Sequence, residues 1–274
     1  MTGADPLQAA GSALKGWLED HAGPLVLGVS GALGAGKSTL AARLAERLTG
    51  EGRTAAILSL DDLYLSRARR RELADAVHPL FAVRGPPGTH DVALGLRLLD
   101  AVKSGESVSL PRFDKADDAP RPAEAWPEAG PLDVVIFEGW CLGASPQPLS
   151  ALKPPVNELE AVEDADGVWR GAVNARLSDT YADLFSRIDK LVFLAAPSFD
   201  VVRTWRTQQE HDLRGRLAAE GRTGAHVMTD AQIARFVQHF ERLTRHMLDD
   251  LPGRADLTLR LDETRRLDPR GAGR

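Results

Sequence analysis

The chain has 274 residues, of which 43% are hydrophobic and 27% are charged, and its 34 basic and 39 acidic side chains give a formal charge of −5 at pH 7. These proportions exclude wholesale disorder, and a general nucleic-acid binder, which would carry a basic surplus, is not expected. The length allows one large domain or two small ones.

Cysteine content and apolar runs argue for a protein of the cytoplasm. Cys141 is the single cysteine, which excludes an internal disulfide, and no Cys/His cluster has the spacing of a zinc site. The apolar run 22–36 holds 15 uncharged residues, five of them glycine, whereas a membrane helix needs about 20 apolar residues. The N-terminus has no basic segment followed by an apolar one, so no secretory signal is predicted. We therefore expect no membrane partner.

Short apolar runs alternate with helical spacings along the chain. The predicted elements, in chain order, are an N-terminal helix within 1–22, a strand at 24–30, a helix at 37–48, a strand at 54–60, helices at 67–77 and 92–102, strands at 132–137 and 188–196, helices at 199–219 and 230–251, and a strand at 255–261. Continuous apolar strands separated by helices predict an α/β fold with a mostly parallel five-stranded sheet and helices on both faces.

The segment between the first strand and the next helix matches the phosphate-binding pattern G-x-x-x-x-G-K-[ST] at every fixed position. Glycines let successive backbone N–H groups face a phosphate chain, Lys37 offsets charge on the β and γ phosphates, and the Ser38 hydroxyl suits Mg²⁺. The alternative is a glycine-rich turn without function. The predicted ATP-binding residues of this loop are Gly31, Ala32, Gly34, Ala35, Gly36, Lys37, Ser38 and Thr39.

Carboxylates follow the second and third predicted strands. Because the carboxyl ends of parallel strands meet at one edge of the sheet, Asp61, Asp62 and Glu138 are expected near the phosphate loop. Glu138 suits a metal-anchoring role, and Asp61 suits a general base for an acceptor hydroxyl. The alternative for Asp61 and Asp62 is a turn or a helix N-cap. No N-K-x-D motif of GTPases and no L-S-G-G-Q motif of transporter ATPases is present, which leaves a kinase acting on a small molecule.

Five motifs together resemble one family. The motifs are G-A-x-G-x-G-K-S at 31–38, S-x-D-D-x-Y at 59–64, G-x-H-D at 88–91, P-R-F-D-K at 111–115 and F-E-G-W at 137–140. Their order and spacing resemble the P-loop D-glycerate 3-kinases, which are relatives of uridine kinase, pantothenate kinase and phosphoribulokinase. The resemblance implies a P-loop kinase fold in one domain over 1–274, with a helical lid at 197–225. The residues at 267–274 are predicted to form a solvated tail. The resemblance also implies transfer of the γ-phosphoryl group of ATP, with Mg²⁺, to the 3-hydroxyl of D-glycerate.

The resemblance also assigns residues. It implies that Lys37 and Asp61 are catalytic, that Ser38, Asp61 and Glu138 lie by the metal, and that the lid helix carries Arg203 and Arg206, of which Arg206 contacts ATP. The residues expected to bind the acceptor are Asp62, Tyr64, His90, Asp91, Arg112, Lys115 and Trp140.

Several of these residues have structural alternatives. Asp91 could cap a helix with His90 packed beneath the loop, and Trp140 could belong to the core. Arg203 and Arg206 share a helix face and could form surface ion pairs with Glu210 or similar acids. Arg84 and Arg121 also lie in irregular segments that are expected to face the cleft. The arginine run at 67–71 is expected to be a solvated helix face.

Departures from the family pattern bear on the acceptor. Leu63 stands where an aromatic residue is common, Pro86 and Pro87 stiffen the loop before His90, and 156–166 has no counterpart. A nucleoside, pantothenate or another polyol therefore remains an alternative acceptor. A regulatory protein that binds ATP is the alternative of another class. An inactive scaffold is disfavoured because every expected catalytic position is filled.

Overall fold

A five-stranded parallel sheet organises the structure, which is a computed structural model that describes residues 5–219 and 228–268. The strand order is β2-β3-β1-β4-β5, and every neighbouring pair is parallel. The predicted α/β class and five-stranded sheet are thus confirmed. The strands are β1 (Leu25–Gly31), β2 (Ala55–Ser59), β3 (Val134–Gly139), β4 (Lys190–Ala195) and β5 (Leu257–Arg260).

Helices connect the strands and cover both faces of the sheet. Thr229 opens the last long helix with a capping box in which its side chain and that of Gln232 bond reciprocally to backbone N–H groups. Within the described residues the α-helices are α1 (Pro6–Asp20), α2 (Lys37–Gly50), α3 (Arg67–Ala76), α4 (Val92–Lys103), α5 (Glu158–Glu163), α6 (Val168–Ser178), α7 (Thr180–Phe185), α8 (Phe199–Ala219) and α9 (Asp230–Asp250). Each helix in these ranges is too short or too polar to cross a membrane.

Successive residues of the central strand pack alternately into two hydrophobic cores, one on each face of the sheet. Leu25 and Leu27 of β1 pack on one face with α1, α2 and α8, whereas Val26 packs on the other face with α4, α7 and α9. The strands are apolar on both sides because both faces are covered, and burying this surface stabilises the fold by about 25 cal/mol per Å². This layered packing fixes the positions of the loops that leave the carboxyl ends of the strands.

Two predictions for the surface are wrong in part. Arg67, Arg69 and Arg71 are exposed, but Arg70 is buried with 2% of its surface accessible. The tail predicted at 267–274 begins too early, because Leu267 pairs with Leu261 and packs on the core formed with α1 and α2. Residues 269–274 lie outside the described part of the chain, as do residues 220–225 of the predicted lid.

Candidate active site

A cleft of about 440 Å³ lies at the carboxyl ends of β1, β2 and β3. Nine of the predicted site residues line it, among them Lys37, Ser38, Asp61 and Glu138 from three separate segments. This convergence follows from parallel strands, whose carboxyl ends share one edge of the sheet. The cleft therefore brings the phosphate loop and the acids of β2 and β3 together.

The phosphate loop has a backbone that its glycines permit. Gly36 has a φ of +92°, in the left-handed region, and stands directly before the first residue of α2. A Cβ atom on Gly34 would lie 2.7 Å from the Cβ atom of Trp205 on α8, so only glycine fits this close approach. The N-terminus of α2 therefore opens beside the loop, where its N–H groups and positive dipole end favour an anion.

Lys37 curls back over the loop that precedes it. Its Nζ donates to the carbonyl oxygen of Ala32 at 3.1 Å. Burial lowers the pKa of Lys37, while the carboxylates of Glu138 and Asp61 act in the opposite direction. The ammonium group is thus held between the loop and two acids, where it can meet a phosphate.

Glu138 is held by two serine hydroxyls. Its Oε1 accepts from Ser59 Oγ at 2.7 Å and from Ser38 Oγ at 3.2 Å. Ser59 is the register partner of Glu138 across β2 and β3. Sequence reasoning missed Ser59, although its position two residues before Asp61 at the end of a strand is a signal that could have identified it.

Asp61 contacts a lysine and a tyrosine. Its Oδ2 accepts from Lys115 Nζ at 2.7 Å, and its Oδ1 accepts from the Tyr64 hydroxyl at 2.9 Å. Burial alone would raise the pKa of Asp61, but the charge of Lys115 and these two hydrogen bonds outweigh it and hold the pKa below its usual value. Burial, followed by the charge of Asp61, raises the pKa of Tyr64 well above its usual value, so Tyr64 stays a donor. Asp61 is therefore ionised at neutral pH and able to accept a proton.

The oxygens of Ser38, Asp61 and Glu138 fit a hard divalent cation. Mg²⁺ prefers oxygen ligands and is usually held by one or two carboxylates together with substrate phosphates, without a full protein cage. The part of the chain that the structure describes holds no group of three or more His, Cys, Asp or Glu side chains placed to hold a metal ion.

Asp62 and Arg112 hold a loop and do not line the cleft. Asp62 accepts from the Phe113 backbone N–H at 2.9 Å, and its second oxygen lies 3.5 Å from Arg112 Nη1. These bonds attach the segment that carries Lys115 to the end of β2. The structure therefore gives both residues a positioning contact instead of the acceptor contact that the sequence predicted.

His90 and Asp91 follow their structural alternative. The Tyr181 hydroxyl accepts from the Gly88 N–H at 2.8 Å and lies within hydrogen-bond distance of His90 Nδ1, at 2.5 Å. Burial lowers the pKa of His90 to about 3. Asp91 caps α4 by accepting from the Leu94 N–H at 2.9 Å. Neither residue lines the cleft. His90 is stacked on Tyr64 with ring centroids 4.7 Å apart, and Asp91 is directed to the N-terminus of α4.

Trp140 is both a wall of the cleft and part of the core. Its Nε1 donates to the Gly85 carbonyl oxygen at 2.9 Å, and its ring meets Phe240 edge to face with centroids 4.8 Å apart. Phe240 and Phe236, both on α9, also line the cleft. Sequence reasoning did not single out these two phenylalanines, because their spacing on α9 is that of ordinary core residues.

The arginines of α8 divide between two environments. Arg206 lines the cleft, pairs with Glu210 at 2.7 Å and lies over the Phe236 ring. Arg203 lies 3.7 Å from Asp200 and is outside the cleft. The ion-pair alternative therefore holds for both arginines: the Arg203 pair is exposed, whereas in the Arg206 pair Glu210 is buried and Arg206 is half-buried. The contact of Arg206 with ATP and the closing of α8 as a lid stay predictions.

Comparisons with known proteins agree with this architecture. No family model matches the chain. An uncharacterised kinase of Schizosaccharomyces pombe, mug58, is 37% identical over 229 residues, which are 79% of this chain and 78% of that protein. The chloroplastic D-glycerate 3-kinase of Arabidopsis thaliana is 32% identical over 81% of this chain, and the match spans about half (47%) of that enzyme. The solved D-glycerate 3-kinase of Cryptococcus neoformans superposes with a TM-score of 0.79 at 26% identity, covering 97% of this chain and 98% of that one.

The fold and the cleft define a P-loop nucleotide-binding kinase. With these relatives, the chain belongs to the glycerate-kinase-like family of P-loop kinases. It is an ATP-dependent phosphotransferase that acts on a small molecule, as the motifs predicted.

Proposed function

We propose that the protein transfers the γ-phosphoryl group of ATP to the 3-hydroxyl of D-glycerate and forms 3-phosphoglycerate. The observation that carries this proposal is the cleft itself, in which an ionised Asp61 lies beside Lys115 and opposite the phosphate-loop Lys37. Support for glycerate comes from the Arabidopsis and Cryptococcus relatives, whose names give that substrate.

The chain's own residues account for an in-line transfer. Asp61 accepts the proton of the acceptor hydroxyl as its oxygen bonds to the γ-phosphorus, the bond from that phosphorus to the β–γ bridging oxygen breaks, and ADP leaves with that electron pair. Lys37 and the N–H groups of the loop offset charge that builds on the phosphate oxygens. Ser38, Glu138 and Asp61 would hold Mg²⁺, which offsets phosphate charge when bound. Trp140 and the phenylalanines of α9 give the cleft an apolar wall, which limits the water that could compete with the acceptor.

A second hollow beside the phosphate loop suits the nucleoside end of ATP. It measures about 230 Å³, and α1, α2 and the segment after β5 enclose it. Gly36 and Thr39 of the phosphate loop line it, and so do Arg43 and Arg265, which supply polar groups. Because the loop separates this hollow from the acceptor cleft, a nucleotide lying along the loop would present its γ-phosphate to Asp61.

The test is ADP formation from MgATP with D-glycerate, L-glycerate, uridine or pantothenate, followed by identification of the product. We expect strong stimulation by D-glycerate with 3-phosphoglycerate as the product. Stimulation by uridine or pantothenate alone would contradict glycerate as the acceptor but keep the kinase. ATP loss that no acceptor stimulates would contradict the proposal and favour a regulatory ATP-binding protein.

A further inference from the structure

Arg84 is a cation of the acceptor cleft that is fixed in place by a buried neighbour. It lines the cleft with Asp61 and Lys115. Its Nη1 donates to Asp118 Oδ1 at 2.7 Å and to the Lys115 carbonyl oxygen at 3.3 Å, and its guanidinium lies over the Phe113 ring at 5.7 Å. Three contacts thus define the orientation of its guanidinium plane.

Asp118 owes its position to Arg70. Its second carboxylate oxygen accepts from Arg70 Nη2, and Arg70 also donates to the carbonyl oxygens of Leu65 and Ala82. All three nitrogens of the buried Arg70 guanidinium are therefore engaged, which leaves it no role other than a structural one. Asp118 adopts a φ of +53°, a conformation that few non-glycine residues adopt and that persists only where surrounding contacts enforce it.

Charge counting leaves this cluster one anion short. Arg70 and Arg84 carry two positive charges, whereas Asp118, the carboxylate that they share, carries one negative charge. The excess positive charge lies at the cleft, on Arg84. Within the described residues, Nε and Nη2 of Arg84 make no hydrogen bond. A planar fork with two free donors is the arrangement that recognises a carboxylate.

Each of the other cations that line the cleft has a contact of its own, whereas Arg84 shares the carboxylate of Asp118 with Arg70. Lys115 pairs with Asp61, Arg206 pairs with Glu210, and Lys37 contacts the phosphate loop. Arg84 and Asp61 both border Lys115, one at its backbone carbonyl and the other at its ammonium group. A short hydroxy acid lying along Lys115 would meet Arg84 at one end and Asp61 at the other.

We propose that Arg84 binds the carboxylate of the acceptor, and that Asp118 and Arg70 are positioning residues that aim its guanidinium. This inference rests on the proposed function and names the residue that selects a hydroxy acid over a neutral polyol. In the bound state the acceptor carboxylate supplies the missing anion, and its terminal hydroxyl faces Asp61.

The test compares steady-state kinetics for D-glycerate and glycerol, which carries hydroxyls but no carboxylate, in the wild type and in Arg84→Gln. We expect the KM for D-glycerate to rise about 10- to 100-fold, as befits the loss of a charge-assisted hydrogen-bond pair. The ratio of kcat/KM for D-glycerate to kcat/KM for glycerol is expected to fall by a similar factor. General damage to the protein would instead lower kcat/KM for both substrates and leave the ratio unchanged. Arg121→Gln is the matched control, because Arg121 is exposed, pairs with Asp114 and lies outside the cleft.

Two further variants keep the test decisive. Arg84→Lys retains the charge without the fork and is expected to raise the KM less than Arg84→Gln. Asp118→Asn removes the aiming charge without added backbone strain, because asparagine tolerates the left-handed region, and it is expected to raise the KM more than it lowers kcat. If the wild type is active on D-glycerate and the KM is unchanged in Arg84→Gln, Arg84→Lys and Asp118→Asn, the assignment of Arg84 is overturned but the proposed function stands. A wild type that accepts only neutral alcohols would overturn both this inference and the proposed function.

Discussion

Replacing Asp61 by asparagine separates the chemistry of the site from its architecture. The amide keeps the shape of the side chain and can still accept from the Tyr64 hydroxyl, but it cannot take up a proton at neutral pH. General-base catalysis contributes about 10²- to 10⁴-fold to a rate, or about 3 to 5.5 kcal/mol of activation free energy. We therefore expect kcat to fall by about that factor.

The same change is expected to leave stability nearly intact. It breaks the ion pair with Lys115, whose side chain is 59% exposed and can return to water. Exposed ion pairs contribute about 0 to 1 kcal/mol to the free energy of unfolding. A loss of activity that greatly exceeds the loss of stability would identify Asp61 as a chemical group.

The assay is coupled ADP release at saturating MgATP and acceptor, with urea unfolding of each variant to measure stability. Asp75→Asn is the control, because Asp75 is exposed on α3 and the substitution removes the same charge. A folded Asp61→Asn protein whose kcat stays within about tenfold of the wild type would refute the assignment of Asp61 as the base.

Three other outcomes are expected. Lys37→Ala should lower kcat at least 100-fold in steady-state ADP release, since the variant loses charge stabilisation of the transferring phosphoryl group; near-normal turnover would contradict the phosphate role. Lys115→Met should move the acidic limb of kcat/KM to higher pH, because Asp61 would lose the charge that lowers its pKa while burial, which raises it, remains; an unmoved limb in the pH profile would contradict this reasoning. His90 has a pKa of about 3 in the folded chain, against about 6.5 unfolded, so below pH 6.5 only the unfolded chain takes up that proton and stability falls with pH. Between pH 7.5 and 5 the free energy of unfolding is expected to fall by about 2 kcal/mol from this cause. In urea unfolding, His90→Asn should lose that much less stability over the same pH range than the wild type; an equal loss in both proteins would contradict the prediction.

Local sequence patterns were sufficient to predict the strands, the helices and the phosphate loop. Each predicted strand overlaps an observed one, with boundaries that differ by one or two residues, because apolar runs determine burial but not the last backbone hydrogen bond. Asp61 and Glu138 could be placed in one cleft from sequence alone, since parallel strand topology brings their carboxyl ends to the same edge.

Long-range side-chain contacts could not be predicted in this way. In the sequence, Arg70 is one of several arginines on a helix predicted to be solvated. Its burial is explained by its contacts with the Leu65 and Ala82 carbonyl oxygens and with Asp118, 48 residues further along. The sequence left Asp91 open between a cap and an acceptor ligand, since the same residue type serves either role and only the path of the chain decides between them. Phe240 reaches the cleft because α9 crosses behind Trp140, a crossing that no periodicity encodes.

The phosphate loop depends on a residue far along the chain. Arg265 donates through Nε to the Gly34 carbonyl oxygen at 2.7 Å, across 231 residues of sequence, and stacks on Trp205. At a synthesis rate of 5–20 residues per second, Arg265 follows Gly34 by about 12 to 46 s. During that interval a nascent chain already contains the residues that would meet the phosphates. It lacks β5 and Arg265, whose hydrogen bond to Gly34 holds the phosphate loop. The bond between Arg265 and the phosphate loop can therefore form only late in synthesis, after the residues expected to meet the phosphates have all been made.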